Sequence, residues 1–245
     1  MTHFSFKEED HLGLDTLKAI SNADRFNGWM TAQITPYLRG NILEIGSGIG
    51  NISSCLLKED VQLTLSDVRT VYCDYLEAKF GTHKKVKEIR LLNLIDDNFD
   101  EKYADLFSSF DGAFALNVIE HIDNDGLAIK NLSKLIKPEG IIAILVPSVP
   151  KLYNKLDYAL QHYRRYKKSH LTELINSNGF KTEKAFYFNA LGIPAWWVNG
   201  SLMKRETIQN SQMNVYDQLV PIAKMIDAIF SQKIGLSVIA ISRKI

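Results

Sequence analysis

Cysteine is scarce in this chain: two in 245 residues, Cys55 and Cys73, with no CxxC pair. A disulfide framework or a cysteine-bound zinc is therefore not expected. Charge of one sign is missing as well. The 29 basic and 28 acidic residues leave a net +1, which offers no field for nucleic acid or an anionic membrane. No apolar run approaches the roughly 18 residues of a membrane span, so no stable membrane insertion is expected. The run Gly140 to Val146 is strand-length. Residues Met1 to Asp10 lack a basic stretch followed by an apolar one, so no secretory leader is expected and the chain reads as cytoplasmic. Repeats and low-complexity linkers are absent too. What is present is 46% hydrophobic content, enough for one substantial core.

Apolar runs of strand length near 41–45, 61–66, 86–92, 112–117 and 140–146 alternate with helical stretches near 50–58, 69–79, 101–108 and 124–136. Such alternation predicts βαβ units, a parallel sheet and helices on both faces. Residues 12–38 read as helical, and Pro138-Glu139-Gly140 as the stop before the fifth strand. Beyond Val146 the rhythm changes to a polar, aromatic segment reaching about residue 168. A helix near 169–177, a strand at 180–188, a helical insert at about 192–233 and a last strand at 235–243 follow. One domain over 1–245 is expected, with a binding core at 38–147 and insertions at 148–179 and 190–234.

The chemistry begins at Leu43-Glu44-Ile45-Gly46-Ser47-Gly48-Ile49-Gly50. Alternating glycines at a strand-to-helix turn let the backbone bend tightly and approach a ligand with no Cβ in the way. A dinucleotide site is usually apolar where Glu44 stands, because a carboxylate there would repel a pyrophosphate. Asn51 likewise occupies a position where that fingerprint wants a small residue. Glu44 suits a ligand with a positive charge, or caps the next helix. Asp67, ending the second strand, suits both hydroxyls of a ribose and is compatible with an N-cap role.

Together with Leu116-Asn117-Val118-Ile119-Glu120-His121-Ile122 and Leu135-Ile136-Lys137-Pro138-Glu139-Gly140, these motifs resemble the class I S-adenosylmethionine-dependent methyltransferases, in their small-molecule, type 11/12-like subgroup. The resemblance covers roughly residues 38–147. It implies an α/β fold: a three-layer, doubly wound, Rossmann-like sheet of order 3-2-1-4-5-7-6, strand 7 antiparallel, plus a helical insert. It also implies S-adenosylmethionine as cofactor. Glu44 would face the amino group of its methionine part, Gly46, Ser47 and Gly48 would let that part pass, and Asp67 would hold the ribose. Val68 would line the adenine pocket, and Leu94 would also contact the cofactor. Asn117 and Val118 would lie near the sulfonium. Asn93 departs from the aspartate of many relatives; its amide can accept from the adenine amino group, or it is an ordinary polar strand end.

Methyl transfer from a sulfonium needs alignment and, for a hydroxyl or amine, a base titrating near neutrality. His121 is one candidate, with loop-ordering and metal ligation beside Glu120 as its other roles; no resident metal is expected. His162 is the other, in Tyr153-Asn154-Lys155-Leu156-Asp157-Tyr158-Ala159-Leu160-Gln161-His162-Tyr163-Arg164-Arg165-Tyr166. There Asp157 offers a carboxylate, Arg165 an anion anchor and Tyr153 a ring to stack on a flat acceptor, unless the stretch is simply amphipathic with solvated cations. The His-Tyr-Arg-Arg-Tyr pattern also resembles a bacterial methyltransferase subgroup. Trp196 and Trp197 cannot share one helix face, so one packs inward and the other meets substrate, a second subunit or lipid. Ile222, Met225, Ile226, Ile229 and Phe230 form a helical stripe whose default place is the core, with a homodimer contact or a lid as alternatives. The expected activity is methylation of a small-molecule acceptor, foremost on oxygen of a hydrophobic, aromatic or glycosylated metabolite. A cofactor-binding regulator without turnover is the non-enzymatic alternative, and Glu44 and Asn51 disfavour an NAD-dependent oxidoreductase.

Overall fold

The computed structural model describes residue 8 and residues 11–245. The leader-free start expected over residues 1–10 therefore falls outside the described residues, apart from Glu8. The strands are β1 (Gly40–Ile45), β2 (Val61–Asp67), β3 (Val86–Leu91), β4 (Phe110–Leu116), β5 (Ile136–Pro147), β6 (Phe180–Phe188) and β7 (Ser237–Lys244). They form one sheet in the expected order, β3-β2-β1-β4-β5-β7-β6. β1 to β5 run parallel, and β7 is antiparallel to both β5 and β6.

The inner strands are continuous apolar runs because helices cover both faces. Successive residues point to opposite sides, so Leu43 joins one core layer and Ile42 the other. The first layer lies under α6 (Asp125–Leu135) and α8 (Lys168–Asn176), which contribute Ile129, Leu132, Leu171 and Ile175. The second lies under α2 (Asp24–Ala32), α3 (Asn51–Leu56), α4 (Thr70–Phe80) and α10 (Asn210–Ile229). α1 (His11–Ser21) packs Ala19 against Met213 of α10, closing a roof over the carboxyl end of β1. Three short helices complete the chain: α5 (Phe99–Lys102), α7 (Lys155–Ala159) and α9 (Gly192–Trp196).

Several boundaries differ from expectation. The helical stretch 12–38 breaks between Ser21 and Asp24 into α1 and α2 and ends in a 3₁₀ turn at Thr35–Tyr37. β5 starts at Ile136 rather than near 140, because Ile136 pairs with Phe110; the register then shifts before Gly112 and Glu139 adopts φ +64°. Pro138-Glu139 thus sits in a bulge within the strand. The insert at 192–233 divides into α9, a π-helical turn at Trp197–Leu202, a non-helical passage and α10.

The apolar stripe of α10 is a correction. It does not pack into the core: Met225 is 58% and Ile229 70% exposed. The inward face is Val220, Ala223 and Asp227 instead. Asp227 fixes that rotation by accepting the N–H groups of Asn189 and Ala190, at 2.7 Å each. Among the described residues no helix is long and apolar enough to cross a membrane.

Candidate active site

The carboxyl ends of β1, β2 and β4 open into a cavity of about 630 Å³, the place where α/β sheets of this kind bind ligands. A second hollow, of about 760 Å³, borders α2 and is lined by none of the expected site residues. Glu44, Gly46, Ser47, Gly48, Asp67, Val68, Asn93, Leu94, Asn117 and Val118 all line the first. Gly46 (φ +67°) and Gly48 (φ +54°) are left-handed, and close approach forbids a side chain at either. A Cβ on Gly46 would stand 2.6 Å from Cγ2 of Val118, and one on Gly48 2.9 Å from Cδ1 of Leu17.

Asp67 is buried at the tip of β2. Its Oδ2 accepts the N–H of Gly48 at 2.9 Å and its Oδ1 that of Arg69 at 3.1 Å, so one carboxylate ties the glycine turn to the second strand. Glu44 is buried beside it, with Ser53 Oγ donating to its Oε2 at 2.6 Å. Burial pushes the Glu44 carboxyl from its ordinary 4.5 to about 8; the Ser53 hydrogen bond opposes this and the Asp67 charge adds to it. Folded Glu44 therefore holds its proton more tightly than the unfolded chain does. The stability it contributes is complete below about pH 4.5 and is lost as pH rises through about 8. In melting scans the ligand-free chain should lose stability between about pH 5 and about pH 9, and Glu44→Gln should flatten that slope. An unchanged slope in the variant would assign the effect elsewhere.

Asn93 occupies the end of the third strand half-buried, and its Oδ1 accepts the N–H of Ile95 at 3.0 Å. One lone pair of that oxygen remains for a ligand. Asn117, at φ +56°, exposes its side chain to the cavity where β4 ends.

The second focus is where the 3₁₀ turn Ile119–His121 meets the loop after α7. The carbonyl of Glu120 accepts the N–H of Tyr163 at 2.8 Å, which holds the two segments together. His121 and His162 meet edge to face with centroids 4.7 Å apart, and both line the cavity. His121 is surrounded by protein, yet its ring is open to the cavity. Burial pulls both imidazoles below the ordinary 6.5, so each is neutral at pH 7. His162 Nδ1 bonds Asp157 Oδ1 at 2.9 Å. Burial works against ionising Asp157, but the His162 hydrogen bond and the Arg165 charge outweigh it and hold the acid below its usual range. With an ionised partner, His162 carries its proton on Nδ1 and leaves Nε2 free.

Two acceptor-side expectations are corrected and a third is narrowed. Asp157 does not line the cavity; it is fully buried and accepts from His162, from Arg165 Nε at 2.8 Å, from the N–H of Asn154 at 3.0 Å and from Trp196 Nε1 at 3.1 Å. Arg165 lines the cavity, but most of its guanidinium is already committed. Its Nε is taken by Asp157, its Nη1 donates to the Ser148 carbonyl at 2.9 Å, and its guanidinium packs 4.7 Å from the Trp196 ring. Tyr153 also stays outside the lining, donating its hydroxyl to the His162 carbonyl at 2.7 Å. The loop's polar residues satisfy one another, which a linear pattern does not reveal. Trp196 does line the cavity, while Trp197 is half exposed at the surface.

Sequence reasoning missed the roof. Leu17 and Ile20 of α1, Met30 of α2 and Met213 and Tyr216 of α10 all border the cavity. The signal was Asn51: its Nδ2 donates to the Leu17 carbonyl at 2.9 Å and docks α1 over the glycine turn.

Comparison with known proteins gives three findings. Residues 22–185 match the model of a family described as a methyltransferase domain. The chain is 22% identical over 140 residues to the reducing polyketide synthase grgA of a Penicillium species, covering 56% of this chain and 6% of that protein. It is 26% identical over 104 residues to the O-methyltransferase rstn1 of Aspergillus nomiae, covering 42% of this chain and 44% of that one. The chain thus spans less than half the length of either relative. A SAM-dependent methyltransferase from Archaeoglobus fulgidus overlays with a TM-score of 0.61 at 17% identity, over 96% of this chain and 100% of that one, which is a likeness of fold.

Proposed function

Because the chain belongs to this family of methyltransferase domains, whose methyl donor is S-adenosylmethionine, we propose that it methylates a hydroxyl oxygen on a small, largely apolar acceptor. The observation that carries this is the polar cluster of Glu120, His121 and His162, set in the wall of the cavity that also contains the glycine turn. An acceptor hydroxyl directed at that cluster faces Asn117 and Val118, beside which the sulfonium would lie. Glu44 receives the cofactor's ammonium, Asp67 its ribose hydroxyls, and Val68 and Leu94 border its adenine.

In the transfer an oxygen lone pair forms the new C–O bond. The C–S bond breaks with its pair going to sulfur, leaving neutral S-adenosylhomocysteine. The hydroxyl proton leaves through the Glu120–His121–His162 cluster, with Asp157 fixing the tautomer of His162. The remaining wall is mostly apolar, with Leu156, Leu160, Ala195 and Trp196 on the acceptor side, which favours an aromatic or polyketide-like body. The names of the two relatives, an O-methyltransferase and a polyketide synthase, agree with that chemistry.

The test is methyl transfer from labelled S-adenosylmethionine to a panel of apolar phenols, alcohols and matched amines. O-methyl products are expected, and His162→Ala should lower turnover by about 10²-fold or more while S-adenosylhomocysteine still raises the melting temperature. Methylation confined to the amines would overturn the choice of oxygen. Normal turnover in the variant would remove His162 from the reaction.

A further inference from the structure

Among the described residues, Glu120 has the one buried carboxylate with both oxygens unpaired. It is 0% exposed, and neither carboxylate oxygen has a hydrogen-bond partner. Leaving such a group unpaired costs about 1–3 kcal/mol or more, so it calls for a ligand. A proton on the carboxylate answers it only in part, because the second oxygen would still lack a donor. A cation would answer it in full. The neighbours are of the right type: one ligand atom each from Glu120, His121 and His162 lies within 4.8 Å of the other two.

We propose that Glu120, His121 and His162 form a binding site for a divalent first-row transition ion, which holds the oxygen of the acceptor. Two imidazoles and one carboxylate suit Zn²⁺, Fe²⁺ or Co²⁺ better than Mg²⁺ or Ca²⁺, which prefer all-oxygen shells. Bonds of about 2.0–2.2 Å to each ligand draw the three atoms closer by roughly an ångström, within the reach of side-chain rotation. Three protein ligands leave coordination positions open towards the cavity, as a reactive site requires. Asp157 completes the arrangement from behind. By accepting from His162 Nδ1 it directs Nε2 to the ion, the outer-shell contact that metal-bound histidines regularly make. Arg165 and Trp196 hold Asp157 in turn.

This deepens the reading of the acceptor side and rests on it. With an ion bound, these three groups hold the ion instead of taking the proton themselves: the ion binds the acceptor hydroxyl and lowers its pKa, so that the proton passes to solvent before the oxygen attacks the methyl carbon. No electron changes hands.

The test is titration of the chelator-treated full chain with Zn²⁺ and Co²⁺ by calorimetry, with Mg²⁺ as the contrasting probe. One ion per chain is expected for Zn²⁺ and Co²⁺, with at least tenfold weaker binding in both Glu120→Gln and His121→Ala. S-adenosylhomocysteine should still stabilise both variants, which shows that they fold. No saturable binding, or binding that both variants retain, would overturn the site. O-methylation that survives chelation would sink the ion while leaving the proposed function standing. A bound ion with no O-methyl product would do the reverse.

Discussion

Asp67→Ala is expected to remove S-adenosylhomocysteine binding from the range that calorimetry measures. An ionised carboxylate that accepts from both ribose hydroxyls makes two charge-assisted hydrogen bonds, each of about 1.5–3 kcal/mol. Their loss weakens affinity by about 3–6 kcal/mol, or roughly 10²- to 10⁴-fold. The alanine also releases the N–H groups of Gly48 and Arg69, so the glycine turn loses its tie to β2. Asp67→Asn separates the two effects: one amide oxygen can still accept, but it cannot serve two hydroxyls and two backbone donors. An intermediate loss is expected there, with a melting temperature near that of the parent chain. Undiminished binding in the alanine variant would show that the ribose is held elsewhere.

The placement of Glu44, Gly46, Gly48 and Asp67 around one cavity was legible because each was picked out by a local rule. Gly46 and Gly48 stand out by the backbone conformation the turn requires, Asp67 by its place at a strand tip, and Glu44 as an acid inside an apolar strand. None of these depends on a distant partner for its type to make sense. The strand order was legible only through the family resemblance; the alternation of strands and helices by itself implied a parallel sheet with helices on both faces.

The acceptor half was not legible. Asp157, His162 and Arg165 were read as groups offered to a ligand because they are polar and close in sequence. Only the folded loop shows that His162, Arg165 and Trp196 converge on Asp157, which itself stays off the cavity. Glu120 was read only as a possible companion of His121 at a metal, since nothing in a heptapeptide tells that its carboxylate ends up with no hydrogen-bonding neighbour. The stripe on α10 failed differently. Its period is helical, but the face turned inward was decided by one acid, Asp227, capping the backbone of residues 189 and 190. Hydrophobic spacing establishes a helix; the side it buries depends on partners that lie far away in sequence.

Breaking the Asp157 node should produce the largest loss of stability. Asp157→Ala leaves the Arg165 guanidinium, 1% exposed, with no counter-charge in contact, and strips a partner from His162, Trp196 and the Asn154 N–H. Removing one member of a buried ion pair costs about 3–5 kcal/mol. In a chain of this length that lowers the melting temperature by roughly 6–20 °C. Replacing both members by apolar residues, Asp157→Leu with Arg165→Met, removes the uncompensated charge and should recover most of that loss. Turnover should not return with stability in the double variant, because His162 has lost the carboxylate that sets its tautomer. Recovery of both together would mean that the node serves packing alone. Recovery of stability without activity would show that Asp157, held by Arg165 and Trp196, serves to aim one nitrogen of His162 into the cavity.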